Sequence, residues 1–265
     1  MILASIHWDV NPEIIRIGSF AIRYYGVLWA LSFYLGYIIF NSFVKREGLK
    51  EGFLDSLTIY TAIGTILGAR LGHCLFYEPN YYLSHPIEIL KIWQGGLASH
   101  GAAIGIIIAL ILFSRKWKVS VIYVLDRIVI TVALAGILIR IGNLMNSEIY
   151  GVETSLPWGF VFERNGEMFP KHPTQLYEAF MYLLIFVMLY IVYIKEKSKP
   201  KQGLLFGLFL STLFTARFFI EFLKEPQVEF EKSMMLNMGQ WLSIPFVLAG
   251  IGFIIFSLRR KEEKV

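Results

Sequence analysis

Long apolar runs alternate with short polar links along almost the whole chain. Seven runs, at 24–43, 54–76, 97–113, 120–142, 176–194, 203–222 and 238–258, carry few charges. A helix needs about 20 apolar residues to cross the hydrocarbon core of a bilayer, so each run is predicted to be a membrane-spanning helix. The third is the shortest and opens with Gly95-Gly96, which marks it as the span expected to be tilted or partly re-entrant. Irregular backbone at that depth survives only where protein or a water-filled cavity covers it. The predicted fold is all-α: a single integral membrane domain over 1–265, a seven-helix bundle with longer loops at 77–96, 143–175 and 223–237.

The basic residues between the runs set the predicted orientation. The links at 44–53, 114–119 and 195–202 and the tail after 258 hold 3, 3, 4 and 4 Lys or Arg, 14 in all. Residues 1–22 and the three longer loops hold only 6, despite their greater length. Basic loops stay in the cytoplasm, so the N-terminus is expected outside and the C-terminus inside. Residues 1–20 lack a basic stretch followed by an apolar core, so they do not read as a cleavable signal. The loop at 77–96 reads as interfacial, with Tyr81, Tyr82 and Trp93 at headgroup level. The loop at 143–175 is too long for a simple connector, and its Leu156, Trp158, Phe160 and Phe162 argue that it is ordered.

Composition agrees with this pattern. The mean hydropathy is +0.58 and 17% of residues are charged, against roughly a quarter in soluble domains. A net charge of +5 could suggest nucleic acid, but the cations sit in short clusters between spans, where topology and anionic membrane lipids explain them better. No nucleic-acid partner is expected. The single cysteine, Cys74, excludes an internal disulfide and reads as a small packing residue inside a span. No metal or other cofactor is implied, because His100 and His172 lack companion ligands at metal spacing.

The placement of the polar residues is the informative departure from an apolar chain. Ionisable groups in a bilayer are expensive and are functional candidates by default. On the predicted topology, Tyr25, Arg70, His100, Arg140, His172, Gln175, Arg217, Glu221 and Gln240 all fall near the outer ends of spans. Only Asp126 and Arg127 lie in the inner half of a span, and adjacent helix residues do not face each other, so each needs its own partner. Arg140 and Arg217 have no acidic residue in the turn before them, although Glu221 offers Arg217 a partner four residues on. Arg70, in Gly68-Ala69-Arg70-Leu71-Gly72, is compatible with small-residue helix packing as well as with binding. Three arginines on one face suit an anionic phosphate, which a guanidinium grips through paired hydrogen bonds. His100, behind the flexible Gly95-Gly96, is a candidate base, since histidine titrates near neutral pH. The stretch from His172 to Glu178 reads as a cap and anchor for the fifth span.

Several blocks together resemble one family. The run Arg140-Ile141-Gly142-Asn143-Leu144-Met145-Asn146-Ser147-Glu148-Ile149-Tyr150-Gly151 is similar to the signature of the prolipoprotein diacylglyceryl transferases, a family of bacterial inner-membrane enzymes. Ile22 to Gly26, Gly68 to Gly72, Gly95 to Gly101, Leu156 to Gly159, His172 to Glu178, Arg217 to Glu221 and Met238 to Gln240 continue the resemblance in the same order. It implies a multi-pass protein of the bacterial cytoplasmic membrane. The implied activity moves the diacylglyceryl group of phosphatidylglycerol to the lipobox cysteine of a prolipoprotein signal peptide, leaving glycerol phosphate. By position, Tyr25, His100, Arg140, Asn143, Glu148, Gly151 and Arg217 match residues regarded as important in that family. One departure is Leu213, where many members have a tyrosine; that role is either absent or taken up by Tyr24 or Tyr177.

Such a reaction sets two tasks: deprotonating a thiol of pKa about 8.5, and stabilising a departing phosphate. The expected catalytic set is His100, Arg140, Arg217, Glu148 and Tyr25; the expected phosphatidylglycerol-binding set is Arg140, Asn143, Arg217, Arg70 and Gly151. His100 is the candidate base, and Glu148 either replaces it or orients an arginine. The competing reading is a transporter or channel for an anionic solute. It accounts for membrane arginines too, but predicts a polar path through both leaflets and gains nothing from a chain without an evident internal repeat.

Overall fold

The computed structural model describes residues 5–18, 20–92, 96, 98–225 and 234–259. Among them, seven helices are long and apolar enough to cross a membrane. They are α1 (Tyr24–Glu47), α2 (Phe53–Phe76), α4 (Ser99–Trp117), α5 (Val121–Met145), α6 (Thr174–Lys195), α7 (Leu204–Ile220) and α8 (Met238–Arg259). The predicted spans and these helices coincide within a few residues. At 1.5 Å per residue, the 24 residues of α1 or α2 exceed the roughly 30 Å hydrocarbon thickness. The third span is an uninterrupted helix from Ser99 to Trp117, not a re-entrant one. Among the described residues, four short strands, β1 (Ile6–Trp8), β2 (Glu13–Ile17), β3 (Phe20–Arg23) and β4 (Phe160–Phe162), accompany the helices.

The chain divides into two compact units, Met1–Phe40 with Leu125–Val265, and Asn41–Val124. The smaller unit is organised by α2 and α4. Without water between them, membrane helices gain little from hydrophobicity and associate by close van der Waals approach. Gly64, Gly68 and Gly72 of α2 meet Gly101 and Gly105 of α4 with backbones in contact: a Cβ on Gly101 would sit 2.3 Å from the Gly68 carbonyl oxygen. The Ala98 amide donates to Ala69 O at 2.9 Å, fixing the start of α4. At the far end, Trp117 Nε1 donates to Ser56 Oγ at 3.0 Å and Phe53 stacks edge-on against Phe113. Cys74, near the other end of α2, is fully buried. The short helix α3 (Pro79–Ser84) and a 3-10 turn, Pro86–Leu90, join α2 to α4 and expose Leu83, Ile87 and Leu90. Of the three aromatic residues read as interfacial, Tyr81 is exposed and Tyr82 is buried, and Trp93 lies outside the described residues.

In the larger unit, α7 packs on both α6 and α8. Asp126 explains itself here. It is fully buried, and its carboxylate accepts from the amides of Gly203 (2.7 Å) and Phe206 (2.9 Å) at the start of α7. Those amides have no partner within their own helix, and a carboxylate there also opposes the positive end of the helix dipole. The acidic residue that an ion path would have used is therefore a helix cap. The long loop is ordered as expected. β1 pairs in parallel with β4, and Phe160 and Phe162 bury against Leu144, Trp8, Tyr150 and Leu176. Leu156 and Trp158 remain exposed.

Candidate active site

The site begins with the way α5 ends. Arg140 and Asn143, three residues apart, share a face of its last turns. The chain then reverses through Ser147 (φ 54°) and Ile149 (φ 60°), both left-handed. For a β-branched residue this is a strained conformation, which persists only where the surroundings impose it. Here Thr174 Oγ1 donates to Ile149 O (2.9 Å) and Gln175 Nε2 to Glu148 O (2.7 Å), so the start of α6 clamps the turn. The reversal brings the Glu148 carboxylate back to the Nδ2 atoms of Asn143 (2.7 Å) and Asn146 (3.3 Å). Asn143 Oδ1 accepts from Arg140 Nη1 at 3.3 Å. Asn143 thus bridges cation and anion, and each end of its amide can face only one of them.

Gly151 closes the same loop. Its amide donates to His172 O at 2.8 Å, and it forms an antiparallel bridge with Lys224. A Cβ at Gly151 would stand 2.1 Å from Leu223 O, so only glycine admits the strand beside it. Gly142 plays a similar part for Tyr25: a Cβ there would meet the tyrosine ring at 2.8 Å. Tyr25 therefore lies against α5 beside the Arg140–Asn143 turn.

An ion network extends from Arg140 across three more elements. Arg140 Nε is 2.9 Å from Glu178 Oε2 of α6, although the N–H is not aligned for a hydrogen bond. Lys224 Nζ donates to Glu178 Oε1 (2.9 Å) and to Glu221 Oε2 (3.3 Å). Arg217, on the last turn of α7, is 3.9 Å from Glu221 Oε2. Gly239 leaves room for the Glu221 carboxyl, which a Cβ would approach to 2.6 Å. Asn237 and Gln240 cap α8 reciprocally, each side chain accepting from the other's amide, which fixes Gly239 in place.

Arg140, Glu178, Tyr182, Leu213, Phe214 and Arg217 line a cavity of about 130 Å³. Its chemistry is two guanidinium groups, the Glu178 carboxylate and the Tyr182 ring over an otherwise apolar floor. Arg217 Nε is buried and has no hydrogen-bond partner among the described residues. A buried, unmatched N–H costs about 1–3 kcal/mol, more on a charged group; an anion placed in the cavity would recover it.

Outside the spans, burial holds His172 below its ordinary pKa. Its Nδ1 lies 3.1 Å from the Tyr177 hydroxyl, which accepts from Trp158 Nε1 at 2.9 Å. Tyr177 is thus spent on the loop that holds Trp158, and the tyrosine that lines the cavity beside Leu213 is Tyr182. Burial alone would lower the Lys171 pKa, but hydrogen bonds to Glu225 and Glu167 outweigh it and raise it.

The remaining candidates belong to the smaller unit. His100 is exposed in the first turn of α4, with its ring 5.6 Å from Phe76 and 5.7 Å from Tyr77. Arg70 is buried and occupied: it donates to the carbonyls of Ile89 (2.8 Å), Glu88 and Gly96 (3.3 Å) and sits over the Tyr82 ring. It ties the backbone at Glu88, Ile89 and Gly96 to α2. Gly151 likewise serves by admitting a neighbouring strand. Among the described residues no three His, Cys, Asp or Glu gather as a metal would need.

Sequence reasoning missed Glu178, Tyr182 and Lys224. Glu178 carried a usable signal, a carboxylate one turn inside a span. Lys224 looked like any loop cation, because only the Gly151 bridge carries it inward.

The family model described as prolipoprotein diacylglyceryl transferase matches residues 12–256. A protein of Tolumonas auensis named phosphatidylglycerol–prolipoprotein diacylglyceryl transferase is 49% identical over 97% of this chain and 100% of its own length. One of the same name from Bacteroides fragilis is 46% identical over 99% of both chains. Another, from Chloroherpeton thalassium, is 45% identical over 97% of this chain and 96% of its own. With a match that runs from just before β2 into the last helix, this chain belongs to the prolipoprotein diacylglyceryl transferase family.

Proposed function

We propose that this protein transfers the diacylglyceryl group of phosphatidylglycerol to the thiol of a prolipoprotein lipobox cysteine. It does so at the outer face of the bacterial cytoplasmic (inner) membrane, with the N-terminus outside and residues 1–265 acting as one membrane domain. The sulfur attacks the glycerol carbon, the carbon–oxygen bond to phosphate breaks, and glycerol phosphate leaves with both electrons. The thiol proton goes to a base. The observation that carries this reading is the cavity that Arg140 and Arg217 line beside Glu178 and Tyr182, with the Arg217 Nε buried and unmatched. Such a site suits a phosphate that grows more negative as its ester bond breaks, which is where oriented donors contribute most.

Arg140 and Arg217 hold the phosphate. Asn143 and Glu148 keep Arg140 in register. Tyr25 borders the same turn. His100 is assigned the base on its chemistry, an exposed imidazole able to take a proton near neutral pH. Gly151 supports the site by admitting the backbone at Lys224 beside the signature loop.

The test incubates purified protein with phosphatidylglycerol and a lipobox peptide, and weighs the peptide. A mass gain of one diacylglyceryl group is expected for the wild type, with loss of transfer in folded Arg217→Ala. An unmodified peptide, under conditions where a relative modifies it, would overturn the reading. His100→Gln with a wild-type pH–rate profile would remove the base assignment alone.

A further inference from the structure

We propose that Lys224 is a positioning residue of the anion site: it holds the two carboxylates that would otherwise neutralise Arg140 and Arg217. The inference rests on the phosphate reading of that site and adds a residue to it. Lys224 leaves its loop to end 4% exposed at the side chain. A buried ammonium is tolerated only when paired, and this one takes the well-formed contacts of the network. It lies 2.9 Å from Glu178 Oε1 and 3.3 Å from Glu221 Oε2. The arginines get what is left: an unaligned 2.9 Å approach for Arg140 and a loose 3.9 Å one for Arg217.

Charge counting states the consequence. Arg140, Arg217 and Lys224 are three cations in contact with two carboxylates, Glu178 and Glu221, leaving one positive charge. Glu148 is held by the amides of Asn143 and Asn146 and forms no ion pair with either arginine. One positive charge balances the single negative charge of a phosphodiester. Without Lys224 the group is neutral, both carboxylates turn to the arginines, and an incoming anion must displace them. The Gly151 bridge is what delivers Lys224, since it fixes the backbone of residue 224 beside the signature loop.

The experiment titrates glycerol phosphate into purified protein and separately measures KM and kcat with phosphatidylglycerol. Lys224→Met keeps length and burial but removes the charge; the Kd for glycerol phosphate and the KM should each rise about tenfold, with kcat changing less. Lys224→Arg should keep both near wild type. Adding Glu178→Gln to Lys224→Met restores the positive balance and should bring the Kd back to within about threefold. A lysine that merely steadies its loop would not be rescued by neutralising a carboxylate on α6. An unchanged Kd in Lys224→Met, or no rescue in the double variant, overturns the proposal. If Lys224→Met does not accumulate, Glu178→Gln alone decides: it should tighten glycerol phosphate, and weakening overturns the proposal. Because anion binding is read without turnover, failure of the wild type to modify peptide would count against the transferase reading and not against this one.

Discussion

Replacing Gly151 with alanine is expected to disable the site through backbone packing. The added methyl would lie 2.1 Å from Leu223 O, 2.8 Å from His172 Cβ and 2.8 Å from Thr174 Cγ2. The first neighbour is backbone and cannot rotate away. Restoring an ordinary contact of about 3.2 Å requires the segment at 223–224 to retreat by roughly 1 Å. That displacement stretches the bond from Val152 N to Leu223 O, now 2.9 Å, beyond hydrogen-bond range. Overpacking costs about 1–3 kcal/mol and the lost hydrogen bond about 1 kcal/mol more, so about 2–4 kcal/mol of stability should go. The same shift draws Lys224 away from Glu178 and Glu221 and lets them close on the arginines. The assay pairs thermal unfolding of detergent-solubilised protein with the peptide-mass assay on the folded fraction. A lowered midpoint with transfer reduced at least tenfold per folded molecule is expected. Wild-type transfer, at any stability, would refute the chain of contact from Gly151 through Lys224 to the arginines.

Asp126→Ala should cost about 2–4 kcal/mol, because two amides at the start of α7 lose a charged acceptor inside the protein; urea titration reads the loss, and transfer per folded molecule should hold. Asn143→Asp places a carboxylate against Glu148 where an amide N–H₂ donated at 2.7 Å. It should reduce transfer at least a hundredfold with protein still in the membrane, and activity close to wild type would remove Asn143 as the bridge. Burial depresses the His172 pKa, so the unfolded chain binds the proton more readily. The corresponding stability is present above the ordinary histidine pKa of about 6.5 and is lost as pH falls through that value toward the folded one. Unfolding midpoints of wild type and His172→Phe between pH 7 and 5 should therefore diverge, the wild type falling more steeply; parallel curves would discard this account.

Much of the fold was legible because a bilayer punishes unsatisfied backbone so heavily that twenty apolar residues have one reasonable structure. The helix ends were less so: α5 runs to Met145 because Asn143 and Leu144 still serve the helix while their side chains and carbonyls serve the loop. The strands β1 and β4 escaped because they pair across more than 150 residues, and no local pattern encodes such a partner.

The sequence by itself determined seven spans, the clustering of arginines near one set of helix ends, and the family. It could do so because burial in lipid and a contiguous signature are both properties of local stretches. Only the tertiary structure decided which cations have their hydrogen bonds filled by the protein. Arg70 and Arg217 look alike in the sequence, yet one is spent on three backbone carbonyls and the other keeps a buried, unmatched Nε. Lys224 and Glu178, 46 residues apart, become a pair only where Gly151 lets two backbones touch. Charge balance is a sum over neighbours in space, and the chain alone does not list them.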